Sequence, residues 1–214
     1  MNATILRRGT DGAALYLLNG REEEGLFDAL SGCGATLIGL SVEDWNRQLS
    51  PWSAQRCFRD GEDFGGGAGE FLAEIAREIP AFEAEQHLRI AKRGICGYSL
   101  AGLCALYALY VTDLFCAAAC ASGSLWFDGW IKYMEENRPV PEEAFVYLSV
   151  GDREKRARNP RLCTVEDCCV RARDILLGQG VRAFFETNPG NHFADGPLRL
   201  AKGAIRIWNA MRET

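Results

Sequence analysis

Ser99 stands in Gly94-Ile95-Cys96-Gly97-Tyr98-Ser99-Leu100-Ala101-Gly102-Leu103, where a short apolar strand turns directly into an apolar helix. A serine on so sharp a turn has a strained backbone, and the residues two before and two after it must be small. Gly97 and Ala101 meet that demand, and Gly102 gives more room where helix meets sheet. The turn exposes the hydroxyl above the strand ends and aims the first N–H groups of the helix at whatever it attacks. Ala101 departs from the G-x-S-x-G form, so the five-residue pattern is weak by itself. The context favours a nucleophile over a serine that merely caps a helix: Arg93 to Cys96 reads as a strand and Leu100 to Val111 as a buried helix.

A nucleophilic serine needs a base, and the chain has two histidines. His87 lies in the polar stretch Glu83-Ala84-Glu85-Gln86-His87 before the elbow strand, at the end of the sheet opposite the serine, and reads as a solvated surface residue. His192 lies in Asn188-Pro189-Gly190-Asn191-His192-Phe193, after the apolar strand Val181 to Glu186. That puts it at a strand's C-terminal end on the Ser99 edge. The orienting carboxylate should follow the strand Ala144 to Val150, where Gly151-Asp152-Arg153-Glu154 offers two candidates. Glu154 is the first choice because the acid commonly sits a few residues past the strand, but Asp152 stays open. Arg153 to Arg156 also fits a solvated charge cluster. For an oxyanion, one N–H should come from Leu100, the residue after the nucleophile, and a second from Gly20 or Arg21, in the Asn19-Gly20-Arg21 turn after the strand at 13–18. An ordinary Asn-Gly turn is the competing reading there.

These residues resemble a known family, the esterase D-like branch of the α/β-hydrolases, which includes S-formylglutathione hydrolase and the enterochelin esterases. The resemblance rests on Gly97-Tyr98-Ser99-Leu100-Ala101-Gly102, on Ala121-Ser122-Gly123-Ser124-Leu125-Trp126 and on Gly190-Asn191-His192-Phe193, and spans roughly residues 13 to 211. The order Ser, acid, His agrees with it. It implies a serine hydrolase acting on carboxylic esters. Asn19 stands where many relatives have a histidine before the oxyanion glycine, and the short chain argues against a large lid.

The elements that position these residues alternate. Strands are expected at 13–18, 35–40, 92–97, 116–121, 144–150 and 181–186, with a possible edge strand at 3–8; helices at 22–31, 67–78, 100–111, 127–137, 164–178 and 197–211. Thr164 with Asp167 resembles an N-terminal cap, and Gly178 and Gly180 should end that helix. The alternation predicts an α/β protein, a mostly parallel sheet with helices on both faces. At 214 residues one domain covering 1–214 is expected.

Two aromatic loops should wall the substrate pocket. Trp45, Arg47 and Trp52 follow the strand at 35–40, and Trp126 follows that at 116–121. The tryptophans equally suit pinning a long loop, and a lone arginine more often meets a surface carboxylate than an anionic substrate. Gly65-Gly66-Gly67-Ala68-Gly69 lacks the Lys-Ser/Thr of a phosphate loop and reads as a flexible connection.

Composition is that of an ordinary globular enzyme, 48% hydrophobic and 25% charged. The net charge of −5 gives no reason to expect nucleic acid or an anionic membrane as partner. No apolar run reaches a membrane span, and residues 1–12 lack signal-peptide order. The nine cysteines are odd in number and have no C-x-x-C pairing. They read as reduced core thiols rather than zinc ligands and point to a cytoplasmic protein. The expectation is therefore a minimal α/β-hydrolase that cleaves a small carboxylic ester through an acyl-serine, with no metal or organic cofactor and a small-molecule ester as its partner. A thioesterase or acyltransferase using the same three residues, and a noncatalytic binding protein on the same fold, are the alternatives.

Overall fold

A computed structural model of the chain describes residues 2–18 and 24–213. Along the chain run β1 (Ala3–Arg7), β2 (Ala13–Leu18), α1 (Glu24–Ala29), β3 (Thr36–Leu40), α2 (Trp45–Gln48), β4 (Ser53–Ala54), β5 (Phe64–Gly65) and α3 (Ala68–Glu85). They are followed by β6 (Lys92–Tyr98), α4 (Leu100–Val111), β7 (Ala117–Ala121), α5 (Trp130–Glu136), β8 (Phe145–Gly151), α6 (Val165–Gly178), β9 (Arg182–Asn188) and α7 (Gly196–Arg212). Seven strands join in one sheet in the order β1-β3-β2-β6-β7-β8-β9; β4 and β5 pair separately. All neighbours in the large sheet are parallel except β1, which lies antiparallel on the β3 edge.

Strands β2 and β7 are buried and free of charged residues throughout because both faces are covered. In β2, Ala14, Tyr16 and Leu18 enter one core while Ala13, Leu15 and Leu17 enter the other. The first core lies under α3, α4 and α6; the second lies under α1 and α7. Helix α4 is buried almost all round, pressed on β6 and β7 and backed by α3, which is why its sequence shows no polar stripe. Helix α7 is amphipathic instead, turning Ala201, Ala204, Ile207 and Met211 inward. Parallel strands aligned this way bring the turns after β6, β7, β8 and β9 to one edge, where Ser99, Ser122, Glu154 and His192 all lie.

Four local expectations change. Helix α3 runs on to Glu85 through Pro80, past the expected end at 78. Proline forfeits a helical hydrogen bond. Ile75, Ile79 and Glu83 nevertheless continue the buried face, and Glu83 is anchored by the Tyr16 hydroxyl (2.6 Å) and Arg93 Nε (2.8 Å). Thr164 precedes α6 but caps nothing; its hydroxyl donates to the Arg161 carbonyl (2.7 Å). Helix α5 begins at Trp130 rather than 127, after Gly129 at φ +80°. The glycines at 65–67 are not a flexible connection. A Cβ at Gly66 would lie 2.4 Å from Ser53 N, and one at Gly65 2.8 Å from Arg47 Cβ, so these positions let the β4–β5 hairpin and α2 pack against each other.

Candidate active site

Ser99 has φ +60° and ψ −123°, a conformation costly for any residue with a Cβ. It is held by its surroundings. The Ser99 N–H donates to Ala121 O (3.1 Å) at the end of β7, and the Ser99 carbonyl accepts from Gly102 N (3.0 Å) and Ser124 N (3.0 Å). The small neighbours are a steric necessity: a Cβ at Gly97 would stand 2.1 Å from Ala101 O, and one at Gly102 3.1 Å from Gly123 Cα. Leu100 opens α4, so its N–H has no carbonyl one turn earlier to bond with. The other oxyanion candidates, Gly20 and Arg21, lie outside the described residues.

The Ser99 Oγ is 3.0 Å from His192 Nε2, and His192 Nδ1 is 2.8 Å from Glu154 Oε2. A carboxylate only accepts hydrogen bonds, so this pairing places the imidazole proton on Nδ1 and leaves Nε2 free to take one from the serine. The structure thus brings Ser99, His192 and Glu154 into one line. Asp152 is not in it. Its side chain is exposed and its Oδ1 accepts from Gly190 N (2.8 Å), while its own N–H donates to Asn188 O (2.8 Å). Asp152 therefore fastens the turn after β8 to the loop carrying His192. His87 lies just past the end of α3, beyond Glu83, whose partner Arg93 is near the start of β6, so it is at the far end of the sheet.

Glu154 is buried, with 7% of its surface exposed. Burial alone pushes its carboxyl up, but hydrogen bonds from His192 and from the Gly151 N–H (2.7 Å) outweigh that and hold it below its ordinary value. Arg199 NH1 also donates to Oε1 (3.1 Å). Tyr98 donates its hydroxyl to the His192 carbonyl (2.6 Å), bracing the histidine from the elbow strand. Neither Arg199 nor Tyr98 was expected from the motif spacing. A signal for Arg199 existed: it shares the four-residue spacing of Gly203, Ile207 and Met211 and so falls on the buried stripe of α7.

The expected pocket residues divide. Trp52 is half-buried and donates Nε1–H to Asp128 O (2.9 Å), against Phe127, Trp130 and Tyr133, which pins the loop after β3 to the loop after β7. Arg47 forms an exposed ion pair with Glu70 (3.2 Å). Trp126 packs on Phe64 and lies under the Arg161 guanidinium, and Trp45 is exposed at the start of α2. Phe193, which the motif reading left without a role, is 89% exposed and its ring stands edge-on to that of His192. Its N–H donates to Asn191 Oδ1 (3.0 Å), which fixes the backbone of the loop there.

Burial pushes the Cys57 thiol up to about 11 and raises those of Cys96, Cys104, Cys120 and Cys169 as well, which disfavours these five as nucleophiles. Among the described residues, no group of three or more His, Cys, Asp and Glu is arranged to hold a metal, and no helix is long and apolar enough to cross a membrane.

The model of the family described as "Putative esterase" matches residues 8–179, and the chain belongs to that family. The uncharacterized protein YbbA of Bacillus subtilis is 29% identical over 126 residues, which cover 57% of this chain and half of that protein's length. An IroE-like serine hydrolase from Shewanella oneidensis superposes with a TM-score of 0.78 at 18% identity, over 97% of this chain and 74% of that one. The siderophore hydrolase EstA from Aspergillus nidulans does so with a TM-score of 0.71 at 18% identity, over 95% and 84%. The shared architecture is the α/β-hydrolase fold.

Proposed function

We propose that this member of the esterase family is a serine hydrolase that cleaves a small carboxylic ester through an acyl-serine intermediate, with Ser99 as nucleophile, His192 as general base and Glu154 as the orienting acid. The observation that carries this is the unbroken line from Ser99 Oγ through His192 (3.0 Å) to Glu154 (2.8 Å). In the first half-reaction Ser99 Oγ bonds to the ester carbon while His192 Nε2 takes its proton. The Leu100 N–H faces the developing oxyanion. Collapse breaks the bond to the alkoxide, which leaves with the proton from Nε2. Water then attacks the acyl carbon, gives a proton to His192, and the returning proton frees Ser99.

The likeness to siderophore hydrolases supports the fold; the substrate is read from the site. Phe193 beside His192 offers an apolar surface to the acyl or alcohol group, with Trp126 farther along the same edge. We place the protein in the cytoplasm, because all nine cysteines are free thiols. As a test, wild type and Ser99→Ala are assayed on p-nitrophenyl esters and on acyl thioesters, with and without an alcohol acceptor, and treated with a fluorophosphonate. Ester turnover and labelling at Ser99, both absent from the variant, are expected, with little change in Tm. Label on another serine, or an active variant, overturns the assignment; preference for thioesters or for the acceptor moves it to a thioesterase or acyltransferase.

A further inference from the structure

Arg199 is 2% exposed, and a guanidinium taken out of water costs several kcal/mol unless its donors are used. Its location makes the case stronger. It lies in the first turn of α7, where the helix dipole disfavours a cation. Its partners come from every turn that builds the site. NH1 donates to Glu154 Oε1 (3.1 Å) after β8, to Ser122 Oγ (3.0 Å) after β7 and to the Tyr98 hydroxyl (3.4 Å) at the end of β6; NH2 donates to Pro189 O (2.8 Å) after β9. The backbone is shaped to admit it. A Cβ at Gly151 would stand 2.9 Å from both NH1 and NH2, and one at Gly190 3.4 Å from NH2.

Resting on the Ser99-His192-Glu154 reading, we propose that Arg199 is a positioning residue for that reaction: it keeps Glu154 ionised and aimed at His192 Nδ1 and ties together the four turns that carry the site. It acts through Glu154 and does not touch the substrate. The groups that face Glu154 are His192 after β9, Arg199 of α7, the Tyr98 hydroxyl of β6, the Ser122 hydroxyl and the Cys169 thiol of α6. Burial pushes the Tyr98 phenol and the Cys169 thiol up, so both stay neutral at working pH. Apart from His192, Arg199 is then the one cation in ion-pair contact with Glu154 among the described residues.

Removing that charge acts in one direction. A buried Glu154 without Arg199 protonates more readily, and a protonated Glu154 no longer accepts from His192 Nδ1 as a carboxylate. That moves the acid limb of kcat/KM to higher pH. The experiment measures that profile on a p-nitrophenyl ester for wild type, Arg199→Met and Arg199→Lys, with thermal melts and fluorophosphonate labelling of each. Arg199→Met is expected to lower kcat by about 100-fold with little change in KM. Its acid limb should shift up by about one pH unit. Arg199→Lys keeps the charge but cannot span the same acceptors, so it should lose kcat while its acid limb stays with wild type. If Arg199→Met does not fold, Arg199→Lys decides: unchanged kcat in a folded, labelled protein refutes the proposal. So does a loss in Arg199→Met without movement of the acid limb, which is what a merely structural residue gives. Wild type that turns over ester without label at Ser99 refutes the underlying reading instead, and the proposal with it.

Discussion

Replacing Glu154 by glutamine changes one atom, and the structure dictates how the amide must sit. Oε1 of Glu154 accepts from two donors, Gly151 N (2.7 Å) and Arg199 NH1 (3.1 Å), whereas Oε2 meets His192 Nδ1 (2.8 Å). An amide NH2 turned toward Gly151 and Arg199 would face two donors with a donor. The amide oxygen must therefore take the Oε1 position, which turns the NH2 toward His192. Nδ1 then has to accept, the ring proton moves to Nε2, and His192 donates to Ser99 instead of receiving its proton. The wrong tautomer in a serine triad lowers kcat by up to about 10⁴, roughly 5.5 kcal/mol of transition-state stabilisation. Because the amide oxygen still satisfies Gly151 and Arg199, the fold should lose only about 1–3 kcal/mol, the range for a weakened charged hydrogen bond. The assay is kcat and KM on one p-nitrophenyl ester, with thermal denaturation alongside and Asp152→Asn as control. Asp152→Asn keeps an acceptor for Gly190 N and is expected to stay within about tenfold of wild type. The reverse ranking would move the acid to Asp152, and two mild effects together would mean that the imidazole is oriented without a carboxylate.

His192→Ala should reduce kcat/KM by roughly 10³ to 10⁶, while His87→Ala at the far end of the sheet should be silent; equal losses in steady-state assays would leave His192 without its role. Gly97→Ala drives a Cβ to 2.1 Å from the Ala101 carbonyl oxygen, backbone that cannot swing aside, so the elbow must open. A destabilisation of about 1–3 kcal/mol by chemical denaturation is expected, with activity falling further than stability because Ser99 leaves its φ +60° conformation. Acid stability follows from Glu154, which burial pushes up but hydrogen bonds from His192 and Gly151 hold below its ordinary value. A depressed carboxyl contributes stability in full above its unfolded pKa of about 4.3 and loses it as pH falls through the lower folded value. Denaturation midpoints of wild type should therefore drop below about pH 4.3 more steeply than those of Glu154→Gln.

What the sequence disclosed was whatever steric or periodic rules determine locally. The elbow was legible because small residues at 97, 101 and 102 are demanded by contacts within a few residues of Ser99. The parallel sheet was legible because strands buried on both faces, such as Ala13–Leu18, read as unbroken apolar runs. His192 could be chosen because only two histidines exist and their positions relative to strand ends differ. The choice between Glu154 and Asp152 was harder: two residues apart on one turn, they diverge only when the chain closes a 3₁₀ turn at Glu154–Arg156 and buries one of them. Arg47 and Trp52 had the right chemistry for a pocket, but their packing partners, Glu70, Trp130 and Tyr133, come from segments whose proximity no local rule states.

Arg199 is the sharpest instance of that divide. Read along α7 it is a cation on an apolar stripe and at the wrong end of the dipole, a local conflict with no local resolution. Its partners come from other turns, Tyr98, Ser122, Glu154 and Pro189, separated from it by 101, 77, 45 and 10 residues. Such a conflict persists in a sequence only where the folded state supplies partners that over-compensate it, and those partners cluster where charge must be held in place. Here they are the turns that carry Ser99, Glu154 and His192. The elbow sets where Ser99 points through sterics and backbone hydrogen bonds, and in the proposal above the buried Glu154–Arg199 pair keeps charged the carboxylate that meets His192 Nδ1. Disturbing the first should change geometry at every pH, whereas disturbing the second should change the pH at which the same geometry works, and it is this difference that lets kinetics tell the two layers apart.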